Sequence, residues 1–110
     1  EESSEHDRVR ESILQILETR PGERFMRPEF GSQVKDLVFE QNDAVLKGLL
    51  CFRITDAIKR WEKRVVVTNV SFDDSPDVAD ANRVLVRIAY RVIQSQVEGN
   101  LVWPFYREGR

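Results

Sequence analysis

Apolar and polar positions divide the chain into two helical segments followed by three extended ones. Val9, Ile13, Ile16 and Leu17 recur at helical spacing, with Asp7, Arg8, Arg10, Glu11 and Gln15 between them, which predicts an amphipathic helix over roughly 5–18. Residues 1–6 read as a flexible polar start, and Pro21-Gly22 stops the helix. Pro21, Gly22, Pro28 and Gly31 keep the next segment irregular, with Phe25, Met26 and Phe30 as its anchors to the core. Val34, Leu37, Val38 and Phe39 predict a short helical turn. Asn42-Asp43 is an N-cap signal, and Leu46, Leu50, Ile54, Ala57, Ile58 and Trp61 form the apolar stripe of a second helix over roughly 43–62. Gly48 lowers helix propensity there by about 1 kcal/mol relative to Ala, and is expected to mark a close packing contact.

From Val65 the period changes. Val65 to Phe72 is rich in β-branched residues and predicts a strand. A polar stretch from Asp73 to Asn82 reads as a loop. Val84, Val86, Ile88, Tyr90 and Val92 then alternate with Arg87, Ala89 and Arg91, predicting a long half-exposed strand from Val84 to about Gln96. Glu98-Gly99-Asn100 is the expected turn and Leu101 to Phe105 the returning strand, which Pro104 ends or places at an edge. The expected fold is α+β, with two main helices packed on one face of a small antiparallel β-meander of about three strands. A strand longer than both partners leaves backbone groups unpaired, which invites strand addition.

Composition narrows the chemistry. The 110 residues fit one domain, 1–110. No apolar run approaches the roughly 20 residues that span a bilayer, and the acidic N-terminal residues do not read as a signal peptide. Lys and Arg number 17 against 19 Asp and Glu, a formal charge of −2, so nucleic acid is not an expected partner. One Cys and one His leave no internal disulfide, no Cys-based zinc site and no basis for a Ser-His-Asp triad. Cys51 reads as a small buried hydrophobe and His6 as solvent exposed. No cofactor or small-molecule substrate is expected.

The segment Arg20-Pro21-Gly22-Glu23-Arg24-Phe25-Met26-Arg27-Pro28-Glu29-Phe30-Gly31-Ser32, followed by Leu37-Val38-Phe39-Glu40, resembles the signature of the baseplate-wedge and sheath-initiator family of contractile tails. Ile54, Ala57-Ile58 and Trp61-Glu62-Lys63-Arg64-Val65 continue the resemblance, as does the C-terminal strand with its Pro104-Phe105 pair. The family spans phage baseplates, type VI secretion systems and extracellular injection particles, and some members carry the name lysozyme-like. The resemblance implies a structural subunit in the cytoplasm, assembled into a phage or phage-tail-like particle. It would dock on other baseplate wedge proteins and template the sheath protein by strand addition, and be a monomer or weak oligomer in isolation. The wedge-docking residues implied are Glu23, Arg24, Arg27, Glu62 and Arg64; the sheath-facing edge is Leu101, Val102 and Trp103. Many members carry Glu-Pro-Arg where this chain has Glu62-Lys63-Arg64, and proline there would stiffen the turn.

Each signal also has a plainer reading. Glu23, Arg24, Arg27 and Glu29 could brace their own loop, and Glu62 with Arg64 could be a surface pair worth about 0–1 kcal/mol. Trp103 suits a core position as well as an interface. The same fold also serves an anti-adaptor, so a regulatory binding protein is the alternative. A lysozyme-like hydrolase needs two carboxyls, one with a raised pKa. Of Glu23, Glu29, Glu40 and Glu62, all but Glu40 lie beside an arginine, which lowers a neighbouring carboxyl.

Overall fold

The computed structural model describes residues 2–22, 30–38, 44–73 and 83–106. Helix α1 (Glu2–Glu18) is followed by a 3-10 turn (Val34–Leu37), helix α2 (Ala44–Trp61) and strands β1 (Val65–Asp73), β2 (Arg83–Val92) and β3 (Glu98–Tyr106). The strands form one antiparallel sheet in the order β1-β2-β3. This is the α+β arrangement that the periodicities predict. Helix α1 starts at Glu2, ahead of the expected residue 5. The N-cap pair Asn42-Asp43 and the anchors Phe25 and Met26 lie outside the described residues.

Both helices lie on one face of the sheet, α2 over β1 and α1 over β3. Val9, Ile13 and Leu17 from α1 meet Leu46, Leu50, Ile54 and Ile58 from α2 in one apolar cluster. Beneath them lie Val84, Val86, Ile88, Tyr90 and Val92 of β2, with Leu101, Trp103 and Phe105 of β3. Strand β1 keeps its apolar residues on this face by slipping register. Val65 and Val67 face inward, the ladder is bulged between Val67 and Asn69, and Val70 and Phe72 then face inward on the other parity. An extra residue in one strand has this effect because side chains alternate with period two.

The β2–β3 hairpin differs from the pattern-based expectation. The turn occupies the residues just after Val92, and Glu98-Gly99-Asn100 belongs to β3. Gln96 takes the left-handed conformation (φ +62) at this turn, its N–H donating to Val92 O at 2.7 Å and its Nε2 to Ile93 O at 2.7 Å. Gly99 is a close-approach glycine and not a turn glycine: a Cβ there would lie 2.8 Å from Tyr90 Cζ and Oη and 2.9 Å from His6 Cε1. The long strand is thus the central strand and is paired on both sides; the free edges belong to β1 and β3.

Three smaller expectations change with the packing. Gly48 is exposed and a Cβ would meet nothing within 4 Å, so no intramolecular contact requires it. Cys51 is half-buried. His6 is half-buried against Tyr90, with ring centroids 6.2 Å apart. The irregular segment closes onto α1 at Gly31 (φ +120), where a side chain would overlap the Thr19 carbonyl and Ser32 N–H donates to Thr19 O at 2.9 Å.

Candidate docking site

Two of the five implied docking residues, Glu62 and Arg64, lie in described structure; Glu23, Arg24 and Arg27 fall outside it. Helix α2 ends as Glu62 N–H donates to Ile58 O at 2.8 Å, and the chain turns through Lys63 into β1. Trp61, half-buried, packs a tilted ring on Phe30 at 5.2 Å and lies under the Arg60 guanidinium at 5.6 Å. This fixes Phe30 to the end of α2.

Within the turn the two charges are locked together. Arg64 Nε donates to Glu62 Oε1 and Nη2 to Oε2, both at 2.8 Å, and Arg64 N–H donates to Oε1 at 3.1 Å. Such a fork fixes the guanidinium plane as well as its position. Only 5% of the Glu62 side chain is exposed, against 45% of Arg64. Burial alone would push the Glu62 carboxyl up. Hydrogen bonds from the Arg64 guanidinium, the Ser12 side chain and the Arg64 backbone, with the Arg64 charge, outweigh it and hold the carboxyl below its ordinary range. The Arg64 guanidinium is correspondingly raised, chiefly by Glu62. Ile93 N–H donates to Arg64 O at 2.8 Å, tying the hairpin to the same turn. Glu62 is therefore a holder and Arg64 the presented group. Ser12, fifty residues upstream, also acts to lower the Glu62 carboxyl, which sequence spacing does not reveal.

The implied strand edge resolves into unequal residues. Leu101 and Trp103 are buried, and Val102 is 43% exposed. Val92 N–H donates to Val97 O at 2.8 Å, which makes Val92 and Val97 a hydrogen-bonded pair. Bonded and non-bonded pairs alternate along an antiparallel ladder, so Leu101 and Trp103, opposite Ile88 and Val86, turn their backbone groups toward β2. Asn100, Val102 and Pro104 turn theirs to the free edge. Pro104 has no N–H to offer there, and Arg10 Nη1 already donates to Asn100 O at 2.6 Å. Val102 alone of the three predicted residues presents backbone groups outward. The Trp103 indole is anchored instead: Nε1 donates to Glu18 Oε2 at 2.6 Å, and Lys35 Nζ lies 3.1 Å from Glu18 Oε1. Burial acts to raise the Glu18 carboxyl, but the Trp103 and Lys35 contacts lower it further, for a net downward shift.

Among the described residues no group of three or more His, Cys, Asp or Glu side chains is placed to hold a metal ion, and no helix is long and apolar enough to cross a membrane. Arg87 on the outer sheet face is exposed and 3.5 Å from Asp73, whereas Arg91 is half-buried.

These features define a small two-layer α+β domain that presents a carboxylate-held arginine at a helix-to-strand turn. The family described as Baseplate wedge protein gp25 matches residues 3–97, and the chain belongs to this baseplate wedge family of contractile tails. It is 29% identical over 89 residues to the Baseplate wedge protein gp25 of Enterobacteria phage T4, covering 79% of this chain and 64% of that relative's length. A crystal structure of a protein named as a tail lysozyme from Geobacter sulfurreducens superposes with a TM-score of 0.83 at 35% identity, over 94% of this chain and 91% of the other. The anti-feeding prophage baseplate contains a chain of the same fold, with a TM-score of 0.60 at 22% identity, over 89% of this chain and 66% of that one.

Proposed function

We propose that the chain is a non-enzymatic structural subunit of a contractile injection machine, which docks on other wedge proteins and gives the sheath its first strand-pairing surface. The carrying observation is the buried Glu62 carboxylate gripping Arg64 through both its oxygens. A guanidinium already ordered by one carboxylate loses little freedom on binding, and retains donors for a partner's carboxylate or backbone carbonyl. The family resemblance adds Glu23, Arg24 and Arg27 as further docking residues. The outward backbone of Val102 is the point within the implied edge Leu101–Trp103 where an added strand finds a donor and an acceptor. Glu62 is a poor candidate for the proton donor of a lysozyme, because its carboxyl is held ionised.

Reconstitution with the cognate wedge and sheath proteins tests both parts. Arg64→Ala is expected to lower retention of the wedge proteins by about tenfold or more, the scale of a buried interfacial arginine. Val102→Pro is expected to leave wedge binding intact and suppress sheath initiation. A wild-type chain that co-purifies with neither partner refutes the assembly reading. Peptidoglycan lysis that disappears in Glu23→Gln refutes the non-enzymatic one.

A further inference from the structure

Gly48 lies in the middle of α2, exposed, with an ordinary helical backbone and open space where its Cβ would be. Glycine is disfavoured there relative to almost any other residue, and nothing within the described fold requires it. One turn to either side are Val45 and Phe52, 66% and 69% exposed, the two most exposed large hydrophobic residues among those described. The three sit at i, i+3 and i+7, a notch between two apolar knobs along about 10 Å of one helix face. Beyond Phe52 the stripe runs into a cleft of about 290 Å³ lined by Asp56, Arg60, Pro21 and Gln33 among others.

Charge selects the occupant. Arg53, Lys59 and Arg60 flank the stripe toward the C-terminal half of α2 against the single acidic Asp56, in a chain whose formal charge is −2; Lys47 lies on the far side of the helix. A glycine notch admits a second helix backbone at short distance, with apolar side chains of that helix closing over the flanking knobs.

We propose that this face of α2 seats an acidic amphipathic helix of a neighbouring baseplate protein, crossing at Gly48 with Val45 and Phe52 as its apolar anchors. This rests on the assembly reading above and adds a contact surface separate from Arg64. A second copy of this chain is a poorer fit. Its acidic helix, α1, spends Val9, Ile13, Ile16 and Leu17 on its own core and leaves only Leu14, 36% exposed, to cover the two knobs.

The test uses the full chain reconstituted with its cognate wedge proteins. Phe52→Glu and Gly48→Leu are each expected to reduce wedge-protein retention by about tenfold or more. Gly48→Leu is also expected to raise Tm by about 4 °C, because leucine has the higher helix propensity and open space to occupy. Opposite signs in stability and binding separate an interface from a structural role. A benzophenone amino acid at position 52 identifies the occupant: a crosslink into an acidic helical segment of a wedge protein supports the proposal. A crosslink into a second copy, or into a basic or extended segment, overturns it. Wild-type binding with unchanged binding of both variants overturns this inference and leaves the assembly reading standing. No wild-type binding removes both.

Discussion

The turn after α2 and the free edge of β3 are both surfaces through which this chain meets partners in the proposed assembly, and they are built on opposite principles. The turn is closed: Glu62 and Arg64 satisfy one another through three hydrogen bonds, and the partner finds one ordered guanidinium. The edge is open, and what it offers is main chain. There α1 and a proline have already trimmed the available groups, since Arg10 covers the Asn100 carbonyl and Pro104 lacks an N–H. A closed site discriminates by side-chain geometry, whereas an open edge pairs with any extended chain and depends on blocking devices for its selectivity. Bulging of β1 between Val67 and Asn69 disturbs the other edge in the same way.

The largest effect that separates the two is on stability. Arg64→Ala leaves the Glu62 carboxylate buried without its fork, at an expected cost of about 1–3 kcal/mol. Glu62→Gln in the same background relieves the orphaned charge and should recover part of it. Denaturant unfolding of the three proteins measures this. A loss below about 0.5 kcal/mol for Arg64→Ala reduces the pair to an ordinary surface bridge. Val102→Pro removes only an outward N–H and should unfold close to wild type, so the edge is the cheaper of the two to damage.

The same contrast governs what was legible in the sequence. Helix and strand periodicity located α1, α2, β1 and the core face of β2, because burial on one side imposes its period directly on residue type. The phase shift from Val65 and Val67 to Val70 and Phe72 also encoded the bulge, although alternation alone left it unread. The pattern places the hairpin turn too far along the chain because Gly99 looks like a turn residue. Its reason for being glycine is Tyr90, nine positions away in sequence and opposite it in the ladder, while the real turn uses Gln96. For the site, adjacency in sequence made Glu62 and Arg64 recognisable as a pair. That Glu62 is buried depends on how the helices and sheet pack around the end of α2, which no local pattern carries. Trp103 suits core and interface equally in sequence; its bond to Glu18 on α1 decides between them.

Acid separates the two regions by a smaller amount. Glu62 reports on the turn and Glu18, through Trp103, on the anchoring of β3. Both carboxyls are lowered from 4.5 in the folded chain. A carboxyl lowered on folding contributes stability that is complete above its unfolded value and is lost as pH falls through the folded one. Stability is therefore expected to be level near neutrality and to fall as pH drops below about 4.5. Glu62→Gln should flatten that fall more than Glu18→Gln, because the Glu18 side chain is 53% exposed and its bonds are screened. Thermal unfolding from pH 7 to pH 3 measures both slopes; equal flattening by the two variants means that burial of Glu62 adds nothing to its grip.

The smallest effect concerns Lys63, which stands where the family resemblance implies proline in many members. Lys63 is exposed, and its N–H makes no hydrogen bond among the described residues, so replacing it removes no ladder or capping contact. Proline acts mainly on the unfolded chain, restricting its freedom by an amount that stabilises a compatible fold by about 0.4–1 kcal/mol. Here the turn is already closed by the Glu62–Arg64 fork. Pre-setting the backbone should add its effect to that of the fork without replacing it. Lys63→Pro is thus expected to raise stability by about 0.5 kcal/mol and to leave wedge binding within about twofold, because the guanidinium is ordered in either case. In the Arg64→Ala background the stabilisation should persist at similar size. If it disappears there, proline and the fork are one device, and the turn owes its order to the backbone and not to the side chains that close it.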